Sequence, residues 1–441
     1  MKRILYSWAV CCVLAAAFQA ACLNAQTAPP GSPTTATSTQ QTMTWEQVKA
    51  RFESANPTLK ADALNVDEMH AEEITAYLRP NPTMSFTDDQ LYPFAPHIDP
   101  NTDTTNYRPL TNALTTGSIS YLHEREHKRE LRLESAKEGS RIAGSLHEDM
   151  ERNLMYNLRV AFVQTLEAKA VLELAKADLT YYDHIIEISK ERFKTGDLAQ
   201  IDLDRIELLR VQYESEIEAA TVNLRSQKIA LLQLLDDRTP VDRFDVTGEF
   251  DFSSNLQTLD SFEQAALQAR PDLEAALQSV EQAKTNYKLA KANGSADPTF
   301  AVDSGANPPL PTYVGVNVTI PIRIFDRNQG EKKRTQIDIE RNQQLTEAAR
   351  SQVFSDVDSA YEQVRSELAL LRPYRDQYRA QATRVRDTVT YAYQHGGASL
   401  MDFLNAQSDY RTVQLSYLQL VGTYLTATAQ LNLAVGREVI Q

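Results

Sequence analysis

The sequence predicts a mainly α-helical chain with a small amount of membrane β-structure, built from two similar halves. Three observations indicate this fold class: long helical patterns with heptad-like spacing, four short segments in which apolar and polar residues alternate, and the recurrence of both patterns along the chain. The two copies lie about 200 positions apart, as in a repeat architecture. A doubled chain favours a symmetric, hollow assembly over an enzyme cleft, so we expect no enzymatic activity.

The repeat is clearest in two segments that each contain a glycine. In each segment an aromatic residue is followed three positions later by glycine, and then by an aspartate between two apolar residues. The corresponding residues are Phe193, Gly196 and Asp202 in the first half and Tyr393, Gly396 and Asp402 in the second. Because each segment separates two long helical patterns, we expect it to form the tip of a helical hairpin.

Composition limits the range of partners. The 441 residues include 59 acidic and 45 basic side chains, which gives a formal net charge of −14. A chain this acidic is not expected to bind nucleic acid.

The N-terminus predicts an exported protein. Residues 1–25 are expected to be a secretory signal peptide, because Lys2 and Arg3 precede an apolar, Ala-rich stretch. Lipidation at Cys22 is the alternative. The remaining cysteines, Cys11 and Cys12, also lie in this segment, so we expect no disulfide or thiolate metal site after it.

Residues 26–43 are rich in Thr, Pro, Ser and Gln and are expected to form a flexible leader. No later run of 18 or more apolar residues follows, so any membrane insertion is expected to use β-strands.

The first structural repeat is predicted to span residues 44–240. It contains two shorter helices, two strands around a polar loop, and a long helical hairpin. The expected ranges are 44–55, 57–79, 83–87, 116–123, 126–194 and 198–235. The longest of these helices would measure about 100 Å at about 1.5 Å per residue.

The second structural repeat is predicted to span residues 258–436, after a connector at 241–257 and before a short tail at 437–441. Its helices are expected at 260–269, 271–291, 329–394 and after Gly396, and its strands at 299–303 and 313–320. Pro373 should kink the long helix. The last strand alternates most regularly, with Val314, Val316 and Val318 on one face.

The four strands predict an oligomer. Each has one apolar and one polar face, as a membrane barrel strand requires. Four strands are too few to close a barrel, and an open sheet edge is not stable in lipid. Three chains would supply twelve strands and a wide lumen, with the long helices forming a tunnel wall on one side of the membrane.

The doubled plan, the two glycine segments and the run from Ile320 to Gly330 resemble the TolC-like outer-membrane efflux proteins, also called outer membrane factors. In that run, Pro321 and the sequence Phe-Asp-Arg-Asn-Gln-Gly at 325–330 most resemble the heavy-metal and cation branch, which serves RND efflux pumps. The corresponding segment of the first half, 123–129, matches that branch only at Lys128 and Arg129.

The resemblance implies a function and partners. It implies a homotrimer in the cell outer membrane with a twelve-stranded β-barrel and a large periplasmic α-barrel. It also implies the channel component of a tripartite efflux system, which passively conducts substrate delivered by an inner-membrane pump and a periplasmic adaptor (a membrane fusion protein).

The resemblance further implies that the two glycine segments form the periplasmic aperture and contact the adaptor. The residues assigned to this role are Phe193, Gly196, Asp197, Asp202, Tyr393, Gly396 and Asp402. In a threefold assembly the aspartates would form rings that favour cations, and the Phe193 and Tyr393 rings would wedge the coils together. Where some relatives carry an arginine and a further aspartate beside this aperture, this chain has Ala398 and Asn405.

Three other functions remain open from the residues alone. One is the outer-membrane component of type I protein secretion, and another is a periplasmic coiled-coil scaffold. The third is a zinc metalloprotease, since His123, Glu124 and His127 match the H-E-x-x-H pattern. A charged junction between a strand and a helix is the simpler interpretation of that segment. We expect no catalytic residue, resident metal or cofactor. The sequence does not indicate whether the exported compound is a metal cation, a drug or a polypeptide.

Overall fold

The computed structural model describes residues 41–89, 97–98, 101, 105–106, 114–253, 255–306 and 311–440. The predicted signal peptide, the three cysteines and most of the predicted leader lie outside these residues, as does most of the predicted loop after the first membrane strand.

The first half contains two shorter helices, a strand pair and a long helical hairpin, in the predicted order. Its elements are β1 (Gln41–Met43), α1 (Trp45–Ala55), α2 (Pro57–Tyr77), β2 (Thr83–Asp89), β3 (His97–Ile98), β4 (Thr105–Asn106), β5 (Leu114–Leu122), α3 (Lys128–Thr195) and α4 (Gln200–Leu234). We call α3 and α4 the first hairpin.

The second half repeats this order after a short connector. Its elements are β6 (Phe244–Val246), α5 (Leu259–Ala269), α6 (Pro271–Ala292), β7 (Thr299–Ala306), β8 (Tyr313–Thr319), α7 (Gln329–Pro373), α8 (Arg379–Gln394) and α9 (Leu400–Val435). We call α8 and α9 the second hairpin. None of the described helices carries an apolar stretch long enough to cross a bilayer.

The predicted irregularity at Pro373 is observed. Helix α7 ends there, and a π-helical turn at Tyr374–Tyr378 leads into α8. Proline lacks the N–H that an α-helix needs and its ring crowds the preceding turn, so the hydrogen-bond ladder is disturbed at this point.

Local signals set the starts of the shorter helices. Thr44 caps α1 in a capping box, in which its backbone N–H donates to Gln47 Oε1 at 3.0 Å. Asn56 caps α2 by accepting from the Leu59 N–H at 3.0 Å, and Pro57 occupies the first turn.

The end of the predicted flexible leader is instead a strand. Met43 of β1 is buried in a cluster with Phe244 and Val246 of β6, and its carbonyl accepts from the Thr247 N–H at 3.0 Å. The prediction of a leader over 26–43 is therefore wrong for its last residues. A three-residue strand is too short to show a period in the sequence, and burial against the distant β6 stabilises it.

The predicted helical seams form the core. Apolar side chains of α3 that follow the heptad-like spacing, among them Leu158 and Ala161, are buried against α1, α4 and β6. A second cluster joins α5, α7 and α9. A third, near the hairpin ends, contains Tyr182, Ile206 and Phe403 and joins the two hairpins.

Candidate functional site

A four-stranded antiparallel sheet combines strands from both halves of the chain. The strand order is β2-β5-β7-β8, so β5 of the first half pairs with β7 of the second. Within the described residues, β2 and β8 each have one neighbour and leave their outer edges unpaired.

One face of this sheet is apolar and exposed. Met84 pairs with Ile119, Ile119 with Val302, and Val302 with Val316. Paired residues point to the same face, so these four form a continuous apolar row across the sheet. Their side chains are 64%, 54%, 54% and 78% exposed, in that order. Further exposed apolar residues of this face are Phe86, Phe300, Val314 and Val318. An apolar surface of this extent indicates contact with lipid or protein.

The opposite face is polar. Its cross-strand rows include Thr83, Ser120 and Asn317, with a hydrogen bond of 2.7 Å between the hydroxyls of Thr83 and Ser120. Asp303 lies opposite Gly315, and a β-carbon at Gly315 would lie only 2.7 Å from Asp303 Oδ2. The glycine therefore makes room for a carboxylate on the polar face. The predicted alternation of the last strand is confirmed by this register.

The His123–His127 segment forms a charged junction between β5 and α3. Both carboxylate oxygens of Glu124 accept from Arg132, at 2.5 and 2.9 Å. The His123 ring meets Phe300 edge-on at 6.5 Å, and His127 precedes α3 with a left-handed backbone at φ 55°.

Lys128 follows directly and donates to Asp297 Oδ2 at 2.6 Å. Among the described residues, no group of three or more His, Cys, Asp or Glu side chains is placed to hold a metal ion. With Glu124 held by Arg132, this geometry does not favour the metalloprotease alternative.

Both predicted glycine tips are helical turns of the same kind. Gly196 (φ 85°) donates to the Phe193 carbonyl at 3.1 Å, and Gly396 (φ 74°) donates to the Tyr393 carbonyl at 3.1 Å. Such positive φ values disfavour residues with a β-carbon, which is the physical reason for glycine at both tips. We call residues 193–202 the first tip and residues 393–402 the second tip.

The two aromatic rings of the tips have different environments. Tyr393 is 2% exposed and stacks on Phe403, with ring centroids 5.0 Å apart, whereas Phe193 is 38% exposed. Within one chain only the Tyr393 ring is therefore buried between the hairpins, and the expectation that both rings wedge the coils together stays a prediction. Tyr393 lies within the cluster that also contains Ile206 of the first hairpin.

The repeated aspartates also differ. Asp402 completes a capping box at the start of α9, because its carboxylate accepts from the Ser399 hydroxyl at 2.7 Å and from the Ser399 N–H at 3.2 Å. These hydrogen bonds hold the pKa of Asp402 below its usual value. Asp202 has Ala199 at the capping position and forms no such box. Asp197 accepts from the Thr195 hydroxyl at 2.8 Å.

Arg192 was not singled out from the sequence, but it connects the two tips. Its Nη1 donates to the Tyr393 carbonyl at 2.7 Å, and its Nη2 donates to the Asp197 carbonyl at 3.3 Å. Its guanidinium also lies 5.0 Å from the centroid of the Tyr393 ring. The only sequence signal is a basic residue in the last turn of α3, which is common at helix ends. Ala398, at the position where the resemblance implies an arginine in some relatives, packs on the apolar cluster of the tips.

The sheet with one apolar and one polar face, next to two long helical hairpins, is similar in fold to solved outer-membrane channels. The crystal structure of CusC, described by its conformational changes on folding and transmembrane channel formation, superposes with a TM-score of 0.72 at 16% identity, over 94% of this chain and 99% of CusC. The outer membrane protein VceC of Vibrio cholerae gives a TM-score of 0.68 at 15% identity, over 89% of this chain and 96% of VceC. Both likenesses concern the fold, and they confirm the prediction of a mainly helical chain with a few strands.

Residues 263–437 match the outer membrane efflux protein family. The cobalt-zinc-cadmium resistance protein CzcC of Cupriavidus metallidurans is 21% identical over 318 residues, which cover 70% of this chain and 74% of CzcC. The resemblance to outer-membrane efflux proteins, and to their heavy-metal branch, is thereby confirmed.

Proposed function

We propose that this protein is the outer-membrane channel of a tripartite RND-type efflux system. Three copies share one barrel, and substrates pass through it without chemical change. The observation that carries the proposal is the four-stranded sheet, which has a continuous exposed apolar face, a polar opposite face and, among the described residues, two unpaired edges.

The unpaired edges explain why several copies are needed. A strand edge in the hydrocarbon region leaves backbone N–H and C=O groups without partners, at a cost of several kcal/mol for each group. Pairing β8 of one copy with β2 of the next removes every edge when the ring closes. Three copies supply twelve strands, which leaves a lumen lined by the polar face and a lipid surface formed by the apolar face.

The helices give the channel its periplasmic part. The hairpins extend from the sheet, and the two tips lie at their far ends, where three copies would bring six tips around one aperture. The residues we assign to this aperture and to adaptor contact are Phe193, Gly196, Asp197, Asp202, Tyr393, Gly396 and Asp402. To these we add Arg192, because it connects the tips of one chain.

The proposed cargo is a divalent heavy-metal cation. The support is the relationship to CzcC, which is described as a resistance protein for cobalt, zinc and cadmium. The channel would then receive cations from an inner-membrane pump through a periplasmic adaptor. Aspartates on the polar face and at the tips, such as Asp303 and Asp402, suit the passage of cations.

Two neighbouring residues of β8 provide a matched test of the membrane orientation. Val316 lies in the middle of β8 on the apolar face, and Asn317 follows it on the polar face. A lysine on the lipid face near the bilayer centre costs about 2–4 kcal/mol. We therefore expect Val316→Lys to lower the amount of trimer in outer membranes severalfold or more, and Asn317→Lys to assemble normally.

The measurements are fractionation of membranes and light scattering of the detergent-extracted protein. Wild-type protein should fractionate with outer membranes and have the mass of a trimer. A water-soluble wild-type monomer would refute the proposal, and so would equal assembly of the two lysine variants.

A further inference from the structure

A layer of aromatic and charged side chains joins the two hairpins about four to five helical turns before Gly196. Tyr181 of α3 donates its hydroxyl proton to Thr390 Oγ1 of α8 at 3.0 Å. The Arg386 guanidinium of α8 lies 4.7 Å from the centroid of the Tyr181 ring and 3.9 Å from that of Tyr410 on α9. Arg386 therefore links the second hairpin to the first.

A second arginine makes the equivalent link to α4. Arg411 of α9 donates to Glu216 Oε2 of α4 at 2.9 Å, and its guanidinium lies 5.2 Å from the centroid of the Tyr213 ring. All four helices of the two hairpins thus contribute to one polar layer within the coiled coil. This layer is distinct from the tips, where Arg192 makes the contact.

Asp178 of α3 has no partner in this layer. Its Oδ2 atom is buried and forms no hydrogen bond in the described part of the chain. The positive charges of Arg386 and Arg411 attract an ionised Asp178, and the negative charge of Glu216 repels it. The arginines are occupied elsewhere, since Arg386 is paired with Asp387 at 2.8 Å and Arg411 with Glu216.

The consequence is a carboxyl group whose pKa lies well above the ordinary aspartate value. Burial raises the pKa of Asp178 to about 6, with Arg411 and Arg386 opposing the rise and Glu216 adding to it. The layer is thus most stable when Asp178 is neutral. A carboxylate here would gain hydration if the hairpins moved apart.

We propose that Asp178 is a proton-dependent latch between the two hairpins. When its carboxyl group is protonated, the hairpins pack as observed through Arg386, Arg411 and the tyrosines. When it ionises, arrangements with separated hairpins and a hydrated Asp178 become more favourable. The latch requires only this fold, so it does not depend on the proposed channel function.

The direction of the pH effect follows from the raised pKa. The stabilisation is complete below the ordinary aspartate value of 3.8 and is lost as the pH rises through about 6. For one such group, the ratio of separated to packed hairpins should increase roughly tenfold between about pH 5 and pH 7.

Distance measurement between spin labels tests the latch in the assembled protein. Labels at Thr180→Cys on α3 and Thr388→Cys on α8, both exposed positions near the layer, report the separation of the hairpins. They are placed in a Cys22→Ser background, and labelled chains are diluted with unlabelled chains. In otherwise wild-type protein we expect the long-distance population to rise about tenfold between about pH 5 and pH 7.

Three variants identify the titrating group. Asp178→Asn should retain the packed distance over the whole pH range. Asp183→Asn is the matched control, because Asp183 lies on the same helix and pairs with Arg210 within the first hairpin at 2.6 Å. It should keep the wild-type pH dependence. Glu216→Gln removes a negative charge that raises the pKa of Asp178, and it frees Arg411 to stabilise the Asp178 carboxylate. The midpoint of the pH-dependent change in distance should therefore move to lower pH.

A wild-type distance distribution that does not change with pH would overturn the latch. A pH response that persists in Asp178→Asn would do the same, because another group would then be titrating. If Asp178→Asn fails to assemble, Glu216→Gln decides the matter, since an unshifted midpoint contradicts the proposed role of Asp178.

Discussion

Replacing Arg192 with methionine should loosen the contact between the two tips while leaving each hairpin intact. Methionine keeps an unbranched apolar stem and a high helix propensity, so α3 should still reach Gly196. The substitution removes the hydrogen bonds to the carbonyls of Tyr393 and Asp197 and the contact with the Tyr393 ring.

The size of the effect follows from these contacts. A hydrogen bond from a charged group contributes about 1.5–3 kcal/mol, and a cation–π contact at an exposed site about 0.5–1 kcal/mol. Only the hydrogen bond to the Tyr393 carbonyl and the contact with the Tyr393 ring join the two tips. Because Arg192 is partly exposed, we take the lower ends of the ranges for these two contacts, which together give about 2 kcal/mol for each chain. The equilibrium between joined and separated tips should therefore shift about 30-fold towards separation.

Single-channel conductance in planar bilayers measures this shift as a larger open probability for Arg192→Met. Lys194→Met is the matched control, since Lys194 lies in the same last turn and donates to Glu191 of its own helix at 2.7 Å. If the two variants have the same open probability, the contact between Arg192 and Tyr393 does not restrain the aperture.

Three further outcomes are expected. Gly436→Ala should lower the free energy of unfolding by about 1–3 kcal/mol, because a β-carbon at this positive φ would lie 2.9 Å from the Ala269 carbonyl oxygen. Gly330→Ala is the control and should leave the free energy of unfolding unchanged, because the space around Gly330 is open. Equal thermal unfolding curves for the two variants would contradict the predicted strain at Gly436. Asp202→Asn combined with Asp402→Asn should preserve trimers and reduce cation selectivity, whereas unchanged reversal potentials across a salt gradient would mean that these carboxylates do not line the conducting ring. Deletion of the gene should raise sensitivity to cobalt, zinc or cadmium, and unchanged growth in all three would exclude them as cargo.

Periodicity in the sequence predicted most of the local structure. Alternation at Val314, Val316 and Val318 predicted both the strand and its apolar face, because successive side chains of a strand point to opposite sides. The heptad-like spacing of α3 indicated one apolar side of the helix, and residues on that side, such as Leu158, are buried. Glycine at the two tips predicted where the helices end, since the turn requires a positive φ.

The relation between the two halves depended on tertiary structure. The sequences of the tips are similar, yet only Tyr393 is buried, and Arg192 donates to a carbonyl 201 positions away. Asp178 looks like a solvated position on a helix until Arg386, Arg411 and Glu216 are brought around it from three other helices. A sequence pattern specifies which face of an element is apolar, because that depends on backbone geometry alone. It does not specify which distant surface covers that face, because the choice depends on how the complete set of side chains packs together.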